Sequence, residues 1–525
     1  MRTAPFFSTN QVNKKYDYLY EFEISPEEQA LAENKKSYEQ IIRSTGIFGG
    51  SQVIIVILGI IRNKILAVWL GTAGIGLISI FQNIIDLIKS VSGIGIETGG
   101  VREIASISQS GNKEIIIRNI SLIDRISLIL AVFGFLLCII FSYPVSVWAF
   151  GSGAYTLHIF LLSACVFFSI LGAGQMVILH GLRKIGYMVK ATVISTAIGL
   201  IATLPLYYFF REKAIIPAFI IGSILLFVFT YHYRRKLNLQ TIPVSSREII
   251  QKGITIFRLG FYIVISSTLT LVGYFLLRAF LTDNLGLSSV GLYQAVWSVT
   301  GVSVMLILRS MGSDFYPRLC SIIQDKNASI KLINEQSYIV LIIAVPIIIA
   351  LLLLSKIILT LLYSSQFAGG SSMMNWQIAG TFFKVVSWPL GFILLAKGKG
   401  RLYFISEMLF LVSYLAFTFL LFDKFYLESA GIAYFLAYIV YLFIVRIWGR
   451  RLCGFRWTKE NLLIGFISFI LVLLAFCIVQ YSSEYIIIAG IPIFIMSVLF
   501  SVFKLNKVFS VKSLFNIFRK DDSKF

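Results

Sequence analysis

Between residues 82 and 97, Gln82, Asp86, Lys89, Gly93 and Glu97 recur at intervals of 4, 3, 4 and 4 within an otherwise apolar stretch. That spacing stacks them on one face of an α-helix. An ionised side chain at bilayer depth costs about 2.5–3.5 kcal/mol on insertion scales, so such groups normally face a bundle interior or a wet cavity. Comparable stripes are Gln294, Ser298, Gly301 and Arg309; Ser267, Thr270, Tyr274 and Arg278; Gln377, Thr381, Lys384 and Trp388; and Gln52, Gly59 and Asn63, with Arg62 and Lys64 beside them. Together they predict one shared hydrophilic cavity of positive formal charge. Arg62, Lys64, Lys89, Arg278, Arg309 and Lys384 would hold an anionic head group there, the arginines gripping phosphate oxygens through two parallel hydrogen bonds. Gln52, Asn63, Gln82, Thr270, Tyr274, Gln294, Ser298 and Gln377 would line it. Asp86 and Glu97 are candidates to bind a proton or sodium ion traded against substrate.

Each candidate also has a plainer role. Arg62, Lys64 and Arg278 lie near span ends, where a long side chain can snorkel to the interface, and Arg309 can anchor a cytoplasmic end. Asp86 and Lys89, three apart, can pair with each other. Glu97 can cap a helix end.

The elements that must position these residues are membrane helices. Of 525 residues, 58% are hydrophobic and 14% charged, a balance a soluble domain of this size would not carry. Runs of about 20 apolar residues give fourteen spans, near 44–66, 74–98, 123–143, 157–180, 187–210, 214–233, 256–280, 289–311, 336–359, 373–396, 401–422, 429–448, 460–480 and 485–505. Lys and Arg concentrate in alternate connections, whereas "SYPVSVWAFGSGAYTL" carries none. Both termini are therefore expected in the cytoplasm. The net charge of +21 is spread over short loops on one face, which suits anionic lipid rather than nucleic acid.

Duplication organises the chain. "LGTAGIGL" (70–77) is matched 215 residues later by "LGLSSVGL" (285–292), and the same offset lays "VREIASI" (101–107) over "YPRLCSI" (316–322). Each repeat then holds six spans and the two run in the same sense. The predicted class is an all-α polytopic membrane protein of about fourteen helices, in two pseudo-symmetric six-helix lobes plus a C-terminal helix pair. The expected division is an N-terminal extension (1–42), a first lobe (43–235), a cytoplasmic linker (236–255), a second lobe (256–450), an appended pair (451–508) and a basic tail (509–525). In the extension, Ser25, Pro26 and Glu28 open a short helix; the polar first forty residues do not form a cleaved signal sequence.

No metal or cofactor site is expected. Cys138, Cys165, Cys320, Cys453 and Cys477 fall in separate segments and act as small core hydrophobes. His158, His180 and His232 suggest no shared site. "GIGIETGG" ends a membrane helix and follows no strand, so it reads as helix packing rather than a nucleotide loop. No nucleophile with a neighbouring base can be assembled, which argues against an enzyme.

The stretches "NKILAVWLGTAGIGLISIFQNI" (63–84), "VGLYQAVWSVTGV" (290–302) and "DFYPRL" (314–319) resemble the Wzx-type flippases of the multidrug/oligosaccharidyl-lipid/polysaccharide exporter superfamily, over about residues 42–480. The resemblance implies translocation of an undecaprenyl-diphosphate-linked oligosaccharide, the O-antigen or a related repeat unit, across the bacterial cytoplasmic (inner) membrane. It implies alternating access around a cationic cavity, coupling to H+ or Na+, and a glycan polymerase and chain-length regulator as partners. Position by position, it places the basic residue before the LAVWLG turn at Lys64, with Arg62 two earlier, and the arginine before the second lobe's outer turn at Arg278; Asp86 and Lys89 correspond loosely. The polar extension departs from the family's short start. Two rivals are a cation-coupled multidrug antiporter of the same superfamily, which would favour acidic and aromatic groups, and a membrane-embedded glycan polymerase or ligase.

Overall fold

The computed structural model describes residues 26–508 apart from 94–95, 109–111, 183, 240–241, 482–485 and 487; within helices, the side chains of 26–53, 98, 102, 105–106, 108, 255–264, 302–307, 309–310, 312–314, 317, 321 and 507–508 are also outside the described set. Residues 1–54 form one compact unit and 55–525 another. In the first, helix begins at Pro26, where the Pro-Glu-Glu start places it; Ser25 lies outside the described residues.

The second unit is built of two lobes. The first lobe contains the part of α1 (Pro26–Gly93) from residue 55 on, α2 (Val101–Ser108), α3 (Lys113–Ile140), α4 (Ser142–Phe150), α5 (Thr156–Gly181), α6 (Ile185–Phe210) and α7 (Ile215–Arg235). The second contains α8 (Ser246–Leu285), α9 (Leu287–Ile322), α10 (Lys326–Leu353), α11 (Ser355–Leu362), α12 (Ser371–Ala396), α13 (Gly400–Phe425) and α14 (Glu428–Cys453). Helices α15 (Lys459–Tyr481) and α16 (Gly490–Val508) follow and pack on α10, α15 also on α12. Among the described residues ten helical stretches are long and apolar enough to cross a membrane, and two of them, 54–93 and 185–235, span 40 and 51 residues. Each of those two is long enough to cross twice, at about 20 residues per crossing.

The two lobes repeat in detail. Helices α3 and α10 both have 28 residues, and α5, α6, α12 and α13 all have 26. Asn112 caps α3 by accepting from the Glu114 and Ile115 amides, and Asp325 caps α10 by accepting from the Asn327 and Ala328 amides, satisfying donors the first turn leaves open. The turn in α1 is at Gly71 (φ 67°, ψ −165°) and that between α8 and α9 is at Gly286 (φ 77°, ψ 171°), 215 positions on. Only glycine adopts this region readily. The 215-residue offset therefore marks a repeated backbone feature and not merely a repeated letter pattern.

Three segments differ from expectation. Helix α8 begins at Ser246, inside the stretch 236–255 expected to be linker, because Ser245 accepts from the Glu248 amide at 3.3 Å in an S-x-x-E cap. "SYPVSVWAF", expected as loop, is α4, ended by left-handed Gly151. Among the cysteines, Cys138, Cys165 and Cys453 are buried, whereas Cys320 and Cys477 are exposed and are not core residues.

Candidate functional site

The stripe on the second half of α1 does converge on a cavity, one of about 340 Å³ lined by Gln82, Asp86, Lys89 and Glu97 from one side and by α5 from the other. Gln82 Nε2 donates to Asp86 Oδ1 at 3.0 Å, and Lys89 Nζ pairs with Glu97 Oε1 at 2.8 Å. The Asp86–Lys89 pairing considered from their spacing is not made. Two long side chains bridge from Lys89 to Glu97 instead, and Asp86 is left to Gln82. Exposed His180 lines the same cavity, without His158 or His232. "GIGIETGG" packs as a helix junction: a Cβ on Gly100 would fall 2.8 Å from Val177 on α5.

Arg278 lies where α8 meets α9. It is 7% exposed. One terminal nitrogen donates to Gln294 Oε1 at 2.8 Å, the other to the Tyr274 carbonyl at 3.1 Å. The guanidinium carbon stands 5.4 Å from the Tyr293 ring centroid, and Nε is buried without a partner. Gln294 Nε2 passes the chain on to Ser298 Oγ at 3.1 Å. Asp86 is close enough to Arg278 to feel its charge, so the first-lobe cavity and this arginine share one electrostatic neighbourhood. Burying a guanidinium with one donor unmet is costly and marks it as more than an interfacial anchor.

The other candidates divide. Lys64 Nζ donates to the Thr360 carbonyl of α11 at 3.0 Å, a strut from the first lobe to the second. Arg62 approaches the buried Tyr207 hydroxyl without a well-formed hydrogen bond. Asn63 and Ser298 both approach Tyr363. Gln377 is fully buried and accepts from Thr300 Oγ1 at 3.0 Å, and Thr270 Oγ1 turns back to the Ser266 carbonyl at 2.8 Å. The side chains of Gln52 and Arg309 lie outside the described residues.

Lys384 sits elsewhere, in a second cavity of about 280 Å³ within the second lobe, with Trp388, Glu407, Tyr438 and Tyr441. Lys384 thus lies apart from the first-lobe stripe, in a cavity built inside the second lobe. Tyr441 donates its hydroxyl to Glu407 Oε1 at 2.9 Å, and Lys384 Nζ stands 5.6 Å from the Tyr438 ring centroid. Rings link this cavity to Arg278: Tyr293 to Trp297 at 5.9 Å, Trp297 to Tyr434 at 6.0 Å and Tyr434 to Tyr438 at 4.7 Å between centroids. Pro389, inside α12 beside Lys384 and Trp388, removes a helix hydrogen bond at the cavity wall.

Just after the turns at Gly71 and Gly286 the lobes meet reciprocally. A Cβ on Gly76 would fall 2.1 Å from the Leu287 carbonyl oxygen, and one on Gly291 would fall 1.8 Å from that of Thr72. Residues 72 and 287, like 76 and 291, are 215 apart, so the contact obeys the pseudo-twofold relation. On the face bearing the basic loops, Arg118 of α3 makes a two-pronged bond to Glu248 of α8 at 2.7 and 3.2 Å, and Lys252 pairs with Glu103 of α2. The Arg118 guanidinium holds the Glu248 carboxyl below its usual range. Arg234, at the end of α7, is 7% exposed and pairs at 2.5 Å with Asp124, which also accepts from Gln175 at 2.9 Å.

A family model described as polysaccharide biosynthesis protein matches residues 65–371. A lipid III flippase of Escherichia coli (strain K12) is 22% identical over 406 residues, 75% of this chain and 95% of that protein. A putative O-antigen transporter of Shigella flexneri is 22% identical over 396 residues, 74% of this chain and 93% of that one. Among solved structures, a lipid II flippase MurJ in an inward closed conformation superposes with a TM-score of 0.64 at 16% identity, covering 88% of this chain and 98% of that one. An inward-facing multidrug resistance MATE family transporter of the MOP superfamily gives 0.64 at 16% identity, covering 76% and 95%. The fold is that of these transporters.

Proposed function

The chain belongs to the polysaccharide biosynthesis protein family, whose model spans more than half of it, and from that premise we propose that it carries a polyprenyl-diphosphate-linked oligosaccharide between membrane leaflets. The direction is inner to outer leaflet of the bacterial cytoplasmic membrane, with both termini in the cytoplasm. The substrate chemistry carries over from relatives named for lipid III flipping and O-antigen transport.

The observation that carries the proposal is Arg278: a buried guanidinium with an unmet Nε, close enough to Asp86 of the first lobe to act on its charge. A diphosphate would supply the acceptors that Nε lacks, and Arg278 can rotate from Gln294 to a two-pronged phosphate grip. Arg62 and Arg309 would assist, the lipid tail remaining in the bilayer. Rocking of the lobes then exposes the site to the other side. Asp86 and Glu97, in a cavity that feels the Arg278 charge, would bind the H+ or Na+ that resets the carrier. A glycan polymerase and chain-length regulator would take the product.

R278A should abolish surface glycan and trap lipid-linked glycan in the inner leaflet at unchanged protein abundance. Wild-type surface glycan in R278A would refute the diphosphate grip. A second reading, export of organic cations, is favoured by the aromatic cavity holding Glu407; drug-resistance assays in cells expressing the chain separate the two.

A further inference from the structure

The two cavities are the same place in the two lobes. Every α5 residue lining the first lies 215 positions before an α12 residue lining the second: Ser169 before Lys384, Ala173 before Trp388, Val177 before Phe392. The relation continues on the last helix of each lobe, where Leu226 lines the first cavity and Tyr441, 215 positions on, the second. One ancestral cavity has therefore acquired two chemistries. In the first lobe its α5 wall carries Ser169, Ala173 and Val177, and the carboxylates Asp86 and Glu97 outnumber the one lysine, Lys89. In the second, small residues are replaced by aromatic ones, and the charges of Lys384 and Glu407 cancel.

A net-neutral cavity with aromatic walls selects its ligand. A free phosphate is repelled by Glu407, and an organic cation meets Lys384 with no net negative charge to offset its desolvation. A sugar ring suits both features. Its apolar C–H face lies against aromatic rings, whose faces are electron-rich. Its hydroxyls donate to the Glu407 carboxylate, which Tyr441 holds from one side, and accept from the Lys384 ammonium, which makes no hydrogen bond or ion pair among the described residues and so keeps its donors for a ligand. The volume of about 280 Å³ corresponds to about nine waters at roughly 30 Å³ each in liquid, room for one ring and its hydroxyls and not for a chain. The ring contacts from Tyr293 to Tyr438 connect it to Arg278.

We propose that the second-lobe cavity is a sugar subsite, holding one neutral pyranose ring of the glycan between Trp388, Glu407 and Lys384. This rests on the flippase reading above. The test uses the full chain in lipid nanodiscs and two probes: undecaprenyl diphosphate, and the lipid-linked oligosaccharide extracted from source cells lacking this chain. The wild type should bind the sugar-bearing lipid at least tenfold more tightly than the sugar-free one. E407Q and W388L should each lose that increment, about tenfold as for one hydrogen bond to a charged group, while keeping the affinity for undecaprenyl diphosphate within twofold; Y438L replaces either one that fails to fold. Equal wild-type affinity for the two lipids, or an increment that survives in the variants, overturns the sugar subsite and leaves the flippase reading standing. Binding of neither lipid overturns both. Tetraphenylphosphonium binding that E407Q abolishes overturns the subsite in favour of an organic-cation site.

Discussion

Substituting alanine for Gly76 or Gly291 should open the crossing of the two lobes beside Gly71 and Gly286. A methyl group on Gly76 would sit 2.1 Å from the Leu287 carbonyl oxygen, and one on Gly291 1.8 Å from that of Thr72. An ordinary C···O contact is about 3.3 Å, so the helices must part by roughly 1.2–1.5 Å. The obstacle is backbone, which cannot swing aside as a side chain does. Overpacking of this kind costs about 1–3 kcal/mol, and the cost falls only on conformations in which the crossing is closed. That difference shifts the closed-to-open ratio about 5–150-fold. Electron–electron distance measurement reads it directly, with spin labels at Ser152→Cys and Asn284→Cys, both exposed and one in each lobe, after replacement of the five native cysteines. G76A and G291A should each lengthen the distance, and by similar amounts, since the contact is pseudo-symmetric. An unchanged distance distribution in both variants would refute the inference that glycine backbones form the closure.

Two ion pairs make stability itself a readout. R234A leaves the half-buried Asp124 with only Gln175 as a partner, a loss toward the lower end of about 3–5 kcal/mol. Thermal unfolding in detergent should show a large drop in Tm that a second change, D124N, partly reverses. For Glu248, the Arg118 hydrogen bond depresses the carboxyl's pKa. The pair's contribution is therefore present above the unfolded-state pKa and lost as pH falls through the folded one. Wild type and R118A should differ slightly in thermal stability near neutral pH, the pair being exposed, and converge in acid below the ordinary carboxylate range; a gap that widens in acid would contradict this.

The architecture was legible because lipid imposes simple rules: apolar runs mark spans, and an eight-residue echo at an offset of 215 marked the duplication that Gly71 and Gly286 repeat in backbone angles. The face shared by Gln82, Asp86, Lys89 and Glu97 was legible from helical spacing. Which of them would bond was not, because spacing ranks neighbours by Cα position whereas Lys89 and Glu97 meet through their length. Glu407 was missed although the rule that flagged Asp86, an ionisable group inside an apolar run, applies to "FISEMLF" equally. Trp388 was noted only as part of a polar stripe, and Tyr438 and Tyr441 not at all, since aromatic residues in a span look like lipid-facing bulk until their neighbours are known. Asp124 and Arg234 stand 110 positions apart, and no local pattern announces their contact. The separation of Lys384 from the Asp86 stripe was not legible, because stripes were summed over spans without knowing that each lobe closes around a cavity of its own.

The proposed transfer of a diphosphate-linked glycan across the membrane runs by way of Arg278. The direct measurement is the leaflet distribution of lipid-linked oligosaccharide in cells lacking the chain and supplied with the wild type or R278A at equal abundance. The account predicts accumulation in the inner leaflet both without the chain and with R278A, and transfer to the outer leaflet with the wild type. Equal transfer by R278A and wild type, or outer-leaflet glycan in the absence of the chain, would contradict it.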